Sequence, residues 1–204
     1  MIQTSVFKNE PALLKALIDI HLQGNAIECD PMFFKGNFYK DGVATPAYIG
    51  DIEPISLGVM KYDARNLPFD SNSMGSMILD PPFMFGGHGK QGKYYSSKTH
   101  GILKGYTGME TLYKDIIAEA YRVLSRKGIL IFKTQDFTDS KTTFTHCLVW
   151  EWARSVGFYA KDLAIFDNPK NKVSNHLLKQ RHLRKVHSYF WIFEKNAFPP
   201  EVKE

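Results

Sequence analysis

Gly75-Ser76-Met77-Ile78-Leu79-Asp80-Pro81-Pro82-Phe83 is the stretch whose reading decides the fold. Its apolar run reads as a strand that stops on an acid. The two prolines that follow force an extended, rigid backbone and offer no N–H to a ladder, while their carbonyls stay free to accept. Three upstream segments share the design: Asn25-Ala26-Ile27-Glu28-Cys29-Asp30, Pro46-Ala47-Tyr48-Ile49-Gly50-Asp51 and Gly58-Val59-Met60-Lys61-Tyr62-Asp63. Each is a short strand candidate closing on aspartate. Ligands of parallel α/β sheets bind beyond the carboxyl ends of the strands, so four acids at four strand ends point to one site.

Working outward, Asn9-Glu10-Pro11 followed by Ala12, Leu13, Leu14, Leu17 and Ile18 predicts an amphipathic helix capped by Asn9, with Pro11 in its first turn. An aromatic-rich loop is expected over 31–45. Downstream, Leu112, Ile116, Ala120, Val123 and Leu124 mark the apolar face of a helix over 109–125. Arg126-Lys127-Gly128 reads as its stop, with cations at the negative end of the dipole. Strands are expected over 129–133, 162–166 and 188–193, and a helix over 144–156 that ends at Gly157. Strands and helices thus alternate after residue 105, which argues for helices packed on a mostly parallel sheet. The first half offers few helices between its strands.

The chain has 204 residues, 44% hydrophobic and 14% aromatic, the composition of one globular domain over 1–204. No apolar run approaches the ~20 residues that span a bilayer, and Met1-Ile2-Gln3-Thr4-Ser5 lacks the layout of a secretory leader. A cytoplasmic location with no membrane partner is expected. Cys29 and Cys147 read as two buried thiols, and no histidine or cysteine spacing suits a metal, so none is expected. The net charge of +5 and the pI near 9.0 allow a polyanionic partner.

The chemistry centres on Asp80, Pro81, Pro82 and Phe83. A carboxylate beside a fixed carbonyl gives two acceptors, which suits a planar exocyclic amine. Phe83 can stack on a flat base beyond it. This motif resembles motif IV of the class I S-adenosylmethionine-dependent amino-methyltransferases, which act on adenine N6, cytosine N4 or guanine N2. Tyr62-Asp63-Ala64-Arg65-Asn66-Leu67-Pro68-Phe69 is similar to their motif III, and Tyr121-Arg122-Val123-Leu124-Ser125-Arg126-Lys127-Gly128-Ile129-Leu130 to a passage many of them carry. The resemblance covers residues 25–195. Lys35-Gly36-Asn37-Phe38-Tyr39-Lys40 and Lys185-Val186-His187-Ser188-Tyr189-Phe190 narrow it toward small phage and prophage DNA methylases that have no separate target-recognition domain.

The resemblance implies a Rossmann-like fold: a mostly parallel seven-stranded sheet, helices on both faces, and an antiparallel last strand. It implies S-adenosylmethionine as cofactor, touching Asp30, Gly36, Asp51, Asp63 and Ala64, with Asp51 at the ribose hydroxyls and Asp63 at the adenine amine. It implies catalysis at Asp80, Pro81, Pro82 and Phe83 on a base flipped from its stack. The Gly-rich motif I of the family is absent. Asp30-Pro31-Met32-Phe33-Phe34-Lys35-Gly36 stands in its place and resembles the Asp-Pro-Phe-x-Gly form with a single glycine.

Two basic stretches suit phosphates. Residues 84–108 hold seven glycines, four lysines (Lys90, Lys93, Lys98, Lys104) and no acid. Residues 170–187 hold Lys170, Lys172, Lys179, Arg181, Arg184 and Lys185, again with no acid. Lys90, Lys93, Lys98, Lys179, Arg181, Arg184 and Lys185 are the expected nucleic-acid contacts, with DNA preferred to RNA. Lys133, Gln135 and Asp136 either line the target pocket or form a solvated turn. The expected reaction is methylation of adenine N6 in DNA. Cytosine N4 of DNA and guanine N2 of rRNA are the enzymatic alternatives, and a non-catalytic nucleic-acid-binding module on the same fold is the alternative of another class.

Overall fold

The computed structural model describes residues 3–83, 105–138, 141–168, 182–183 and 185–196. In chain order these form β1 (Val6–Phe7), α1 (Glu10–His21), β2 (Cys29–Asp30), β3 (Tyr48–Asp51), β4 (Met60–Lys61), β5 (Met74–Leu79), α2 (Gly105–Val123), β6 (Leu124–Thr134), the small hairpin β7 (Phe137–Thr138) and β8 (Thr142–Thr143), α3 (Thr145–Ser155), β9 (Phe158–Asp167) and β10 (His187–Lys195).

Among the described residues the main sheet runs β1-β9-β10-β6-β5-β2-β3-β4. Every neighbouring pair is parallel except those of β10, which is antiparallel to both β6 and β9. The expected mostly parallel sheet with an antiparallel last strand is therefore present. It has eight strands, not seven, because the segment before α1 adds β1. Val6 and Phe7 pair with Ile165 and Phe166, and Ser5 accepts the Ile165 N–H at 2.7 Å. An unpaired edge presents open N–H and C=O groups, and β1 covers that of β9.

The sheet is buried on both faces by strict side-chain alternation. Ile78, Ile129, Ile131, Phe190 and Ile192 point to one face and pack with Leu13, Leu14, Leu17 and Ile18 of α1. Met77, Leu79, Leu130, Phe132 and Phe193 point to the other and pack with Leu112, Tyr113, Ile116, Ala120 and Val123 of α2 and with Val149, Trp152 and Ala153 of α3. Each such fully buried aliphatic side chain stabilises by about 1.5–3 kcal/mol. In the helix-poor first half, loop residues replace helical ones: Phe38 and Val43 join the α1 layer, and Ala64 and Leu67 join the α2 layer.

Asn9 caps α1 as expected, its side chain accepting the Ala12 N–H at 2.8 Å. The second helix is displaced from 109–125. It begins at Gly105 and ends at Val123, and β6 starts at once with Leu124 paired to Met74. Arg126, Lys127 and Gly128 thus lie in an irregular start of β6, where Lys127 takes φ 62°, and they do not stop α2. Beside Arg122 in its own last turn, the helix end meets the cation of Lys195 of β10. Its ammonium donates to the carbonyls of Tyr121 and Leu124 and to Asn72 Oδ1. The pair of buried thiols is also corrected: Cys29 is buried, whereas Cys147 is exposed on α3, and both are free.

Candidate active site

The parallel strands β2, β3, β4 and β5 all open at one edge. The chain order reverses there between β2 and β5, because β3 lies on one side of β2 and β5 on the other. Such a reversal leaves a crevice at the carboxyl ends. A cavity of about 370 Å³ occupies it, within the size range of small-ligand sites. Asp51 ends β3, Asp63 lies just beyond β4, and Asp80 follows β5; all three line the cavity, as do Ala64, Pro81, Pro82 and Phe83. Met32, Phe34, Ile52, Tyr62 and Leu112 supply apolar wall.

Asp30 ends β2 and lies behind the wall, 2% exposed. Its Oδ1 accepts the Met32 N–H at 2.9 Å and its Oδ2 the Tyr39 hydroxyl at 2.7 Å. Burial pushes its carboxyl up to about 7, against those two hydrogen bonds; the carboxylates of Asp80 and Asp51 add to the rise. Asp51 ties two loops to the sheet. Its Oδ2 accepts the Phe34 N–H at 3.0 Å and its Oδ1 the Glu53 N–H at 2.9 Å. Phe34 is held at φ 47°, a conformation costly for a bulky side chain. The Asp51 bond over-determines it. Each Asp51 oxygen keeps a further lone pair for a ligand hydroxyl.

Asp63 is engaged by Arg65, whose Nη2 donates to Oδ2 at 2.6 Å and whose Nε donates to Oδ1 at 2.9 Å. This fork holds the Asp63 carboxyl below the usual range. The loop after it is braced from α2: Glu119 accepts the Leu67 N–H at 2.6 Å, and Arg122 donates to Glu119 and to the carbonyls of Leu67 and Phe69. Gly36 does not line the cavity. At φ +62°, the space where its Cβ would stand is filled by the Phe33 ring at 2.4 Å, so this glycine serves a close packing contact.

Around Asp80 the structure adds residues that the motif does not show. Lys133 of β6 donates to Asp80 Oδ2 at 3.2 Å and lies 3.0 Å from Glu10 Oε1, at the first turn of α1. Its ammonium also stands 4.8 Å from the centre of the Phe38 ring and 5.7 Å from that of Phe190. Glu10 and Lys133 both line the cavity. Burial raises the Asp80 carboxyl, and Lys133 offsets part of the rise. Burial also works to lower Lys133, but Asp80 and Glu10 outweigh it and hold the ammonium above its usual value. From the α2 side, the Tyr113 hydroxyl donates to the Pro82 carbonyl at 3.2 Å. That bond fixes the direction of the Pro82 carbonyl, and Pro81 carries the motif's other proline carbonyl.

Of the three residues expected at this corner, Lys133 lies within β6 and lines the cavity, while Gln135 and Asp136 follow the strand and do not line it. Gln135 Nε2 donates to the Lys185 carbonyl at 2.9 Å, and Asp136 Oδ1 pairs with His146 Nδ1 at 2.8 Å. Lys185 stands 5.9 Å from the Phe144 ring. Lys90, Lys93, Lys98, Lys179, Arg181 and Arg184 lie outside the described residues. Among the described residues, no group of three or more His, Cys, Asp or Glu side chains is arranged to hold a metal, and no helix is long and apolar enough to cross a membrane.

Strand order, an antiparallel β10 between β6 and β9, and a cavity at the reversal define a Rossmann-like α/β fold of the class I methyltransferase type. No protein-family model and no curated protein matches the chain. Solved structures do. A 1,6-didemethyltoxoflavin-N1-methyltransferase of Burkholderia thailandensis, with 1,6-didemethyltoxoflavin and S-adenosylhomocysteine bound, matches with a TM-score of 0.58 and 12% identity over 93% of this chain and 79% of its own. TrmN of Thermus thermophilus matches with a TM-score of 0.53 and 17% identity over 91% of this chain and 48% of its own. The cytosine-N4-specific PvuII DNA methyltransferase matches with a TM-score of 0.49 and 16% identity over 68% of this chain and 49% of its own. The chain spans about half the length of several such structures. At these identities the likeness is one of fold.

Proposed function

We propose that this protein is an S-adenosylmethionine-dependent methyltransferase that acts on an exocyclic base amine of nucleic acid, adenine N6 of DNA in the first place. One observation carries the reading: Asp80, Pro81, Pro82 and Phe83 face the same cavity as the strand-end acids Asp51 and Asp63. An amine acceptor and an acid-rimmed ligand cavity are what a methyl transfer to nitrogen requires in one place.

The residues present fit the cofactor. A cavity with apolar walls and acids at its rim suits a ligand that carries a flat purine, ribose hydroxyls and positive charge. Asp51 has lone pairs left for the ribose, and Asp63 and Ala64 flank the position for the adenine. Asp30 and Gly36 support the loop from beneath and do not touch the ligand space. S-Adenosylmethionine supplies an electrophilic methyl group on its sulfonium.

The chain's own work is positioning and polarisation. Asp80 and the Pro81 carbonyl accept the two amine hydrogens, which turns the nitrogen lone pair toward the methyl. Phe83 stacks on the base. As the nitrogen gains its methyl it gives up one proton, and the raised proton affinity of Asp80 supports its taking that proton. The basic stretches grip phosphates around the flipped base.

Mass spectrometry of nucleosides digested from DNA and from RNA after incubation with S-adenosylmethionine tests the reading. N6-methyldeoxyadenosine is the expected product. N4-methyldeoxycytidine or N2-methylguanosine would keep the site and change the base. Absence of every methylated nucleoside, with no heat of cofactor binding at millimolar concentration, would replace the enzyme with a binding module.

A further inference from the structure

Asp80 does not meet the cavity alone. We propose that Lys133 and Glu10 form a charge couple that positions Asp80 for the acceptor amine: Lys133 occupies Oδ2 and so leaves Oδ1 toward the substrate, while Glu10 tethers Lys133. Both are positioning residues. The inference rests on the methyltransferase reading and deepens it.

The geometry is built, not incidental. Lys133 reaches Asp80 Oδ2 at 3.2 Å and Glu10 Oε1 at 3.0 Å. Phe38 and Phe190 flank the ammonium at 4.8 and 5.7 Å. The Lys133 side chain is only 14% exposed, against 28% for Asp80 and 20% for Glu10. Three elements supply the three groups: α1, β5 with its proline turn, and β6. A carboxylate held by a cation at one oxygen cannot rotate freely, so the other oxygen keeps its direction.

The groups facing Asp80 fix the sign of each substitution. Lys133 from β6 favours its charged form. Glu10 from α1 disfavours it, and so does the like charge of Asp30 from β2. Tyr39 and Tyr113 are neutral hydroxyls nearby, from the loop after β2 and from α2. Removing the Lys133 cation therefore lets burial and the surrounding acids push Asp80 toward the neutral acid, which donates where it must accept. Removing the Glu10 charge does the reverse. Lys133→Met should raise the acidic limb of the kcat–pH profile by about one unit, and Glu10→Gln should lower it. At neutral pH, Lys133→Met should reduce kcat about ten- to a hundred-fold, the worth of one charge-assisted hydrogen bond. Lys133→Arg keeps the cation and should recover most of that loss.

The experiment combines kcat and KM for cofactor against pH in the full chain with a carbon-13 carboxyl titration of Asp80 in the same variants. Thermal melts confirm that each is folded. Opposite displacements of the limb in Lys133→Met and Glu10→Gln, with KM for cofactor unchanged within about twofold, are expected. An unmoved limb with a uniform loss of kcat, or a rise in cofactor KM alone, overturns the inference. If the wild type methylates neither DNA nor RNA, the methyltransferase reading fails. The carboxyl titration then still decides whether Lys133 and Glu10 control Asp80, because it needs no turnover.

Discussion

Asp80 reconciles two conflicting demands within one carboxyl group. The proposed chemistry needs an ionised acceptor, while burial disfavours charge. Burial indeed raises the group, and Lys133 holds it back. Asp80→Ala removes the acceptor and leaves the Asp51 and Asp63 side of the cavity in place. It should therefore lower kcat at least a hundredfold, with the calorimetric affinity for S-adenosylmethionine within about threefold of wild type. Loss of cofactor affinity in parallel with kcat would assign Asp80 to the cofactor and not to the amine. Asp30 resolves the same conflict in the other direction, with no cation among the described residues offsetting its burial. Burial raises its folded-state carboxyl from the ordinary 3.8 to about 7. Between those values the folded state binds more protons than the unfolded chain. The contribution of Asp30 is thus fully present below pH 3.8 and is lost as pH rises through 7. The loss is of the order of 4 kcal/mol. Denaturant unfolding of Asp30→Asn without cofactor should lack this decline, so the variant gains on wild type from pH 4 to pH 8. Parallel stability curves for the two proteins would show that Asp30 is ionised throughout.

Among the elements, α2 links the core to the site, because Tyr113 holds the Pro82 carbonyl and Glu119 with Arg122 holds the loop beyond Asp63. Its C-terminal end is closed by Lys195, an uncommon task for a strand residue. Lys195→Met keeps the apolar stem but strips a cation from two end carbonyls and Asn72. By the usual worth of hydrogen bonds to a charged group it should cost about 2 kcal/mol in urea unfolding. A change below about 0.5 kcal/mol would mean that water closes the helix end equally well. The contrast between Asn9 and Lys195 explains what the sequence discloses. The Asn9 cap, the acid-ended strands and the proline turn are legible because each rests on residues a few positions apart. Lys195 and Asn72 stand 123 positions apart, and Lys133 and Asp80 53. No local pattern joins such pairs, so Arg126 and Lys127 look like the helix stop and Lys133 like an undecided corner. Glu10 reads as an ordinary first-turn acid of α1, which it also is. Gly36 misleads in a related way: its need for a positive φ is real, but the Phe33 ring that crowds it is visible only in three dimensions.

At the scale of the whole molecule, positive charge is concentrated in two stretches of the sequence. β5, β6 and β9 run parallel in direction, so the chain leaves β5 at Asp80 and β9 at Asp167 on the same edge as the cavity. The two basic stretches follow those exits. Their ten cations exceed the net charge of +5, which leaves the remainder of the chain net acidic. A remainder that is acidic overall repels a polyanion, so on the proposed reading attraction is concentrated in these two basic stretches. The proposed methyl transfer to a base would need a phosphate backbone brought to that edge. Binding to duplex DNA should then weaken steeply with salt, with log Kd against log salt rising by about 0.9 for each phosphate neutralised. Replacing Lys90, Lys93 and Lys98 together by Gln should lower that slope by up to about three, as should replacing Lys179, Arg181 and Lys185. Methylation by either triple variant should recover at low salt, because Asp80 and its cavity are untouched. Fluorescence anisotropy across salt concentrations reads the slope, and nucleoside analysis at the lowest salt reads the recovery. A slope unchanged in both variants would move the phosphate contacts off these connections and onto the body of the protein. Activity lost at every salt concentration would make the lysines part of the target pocket.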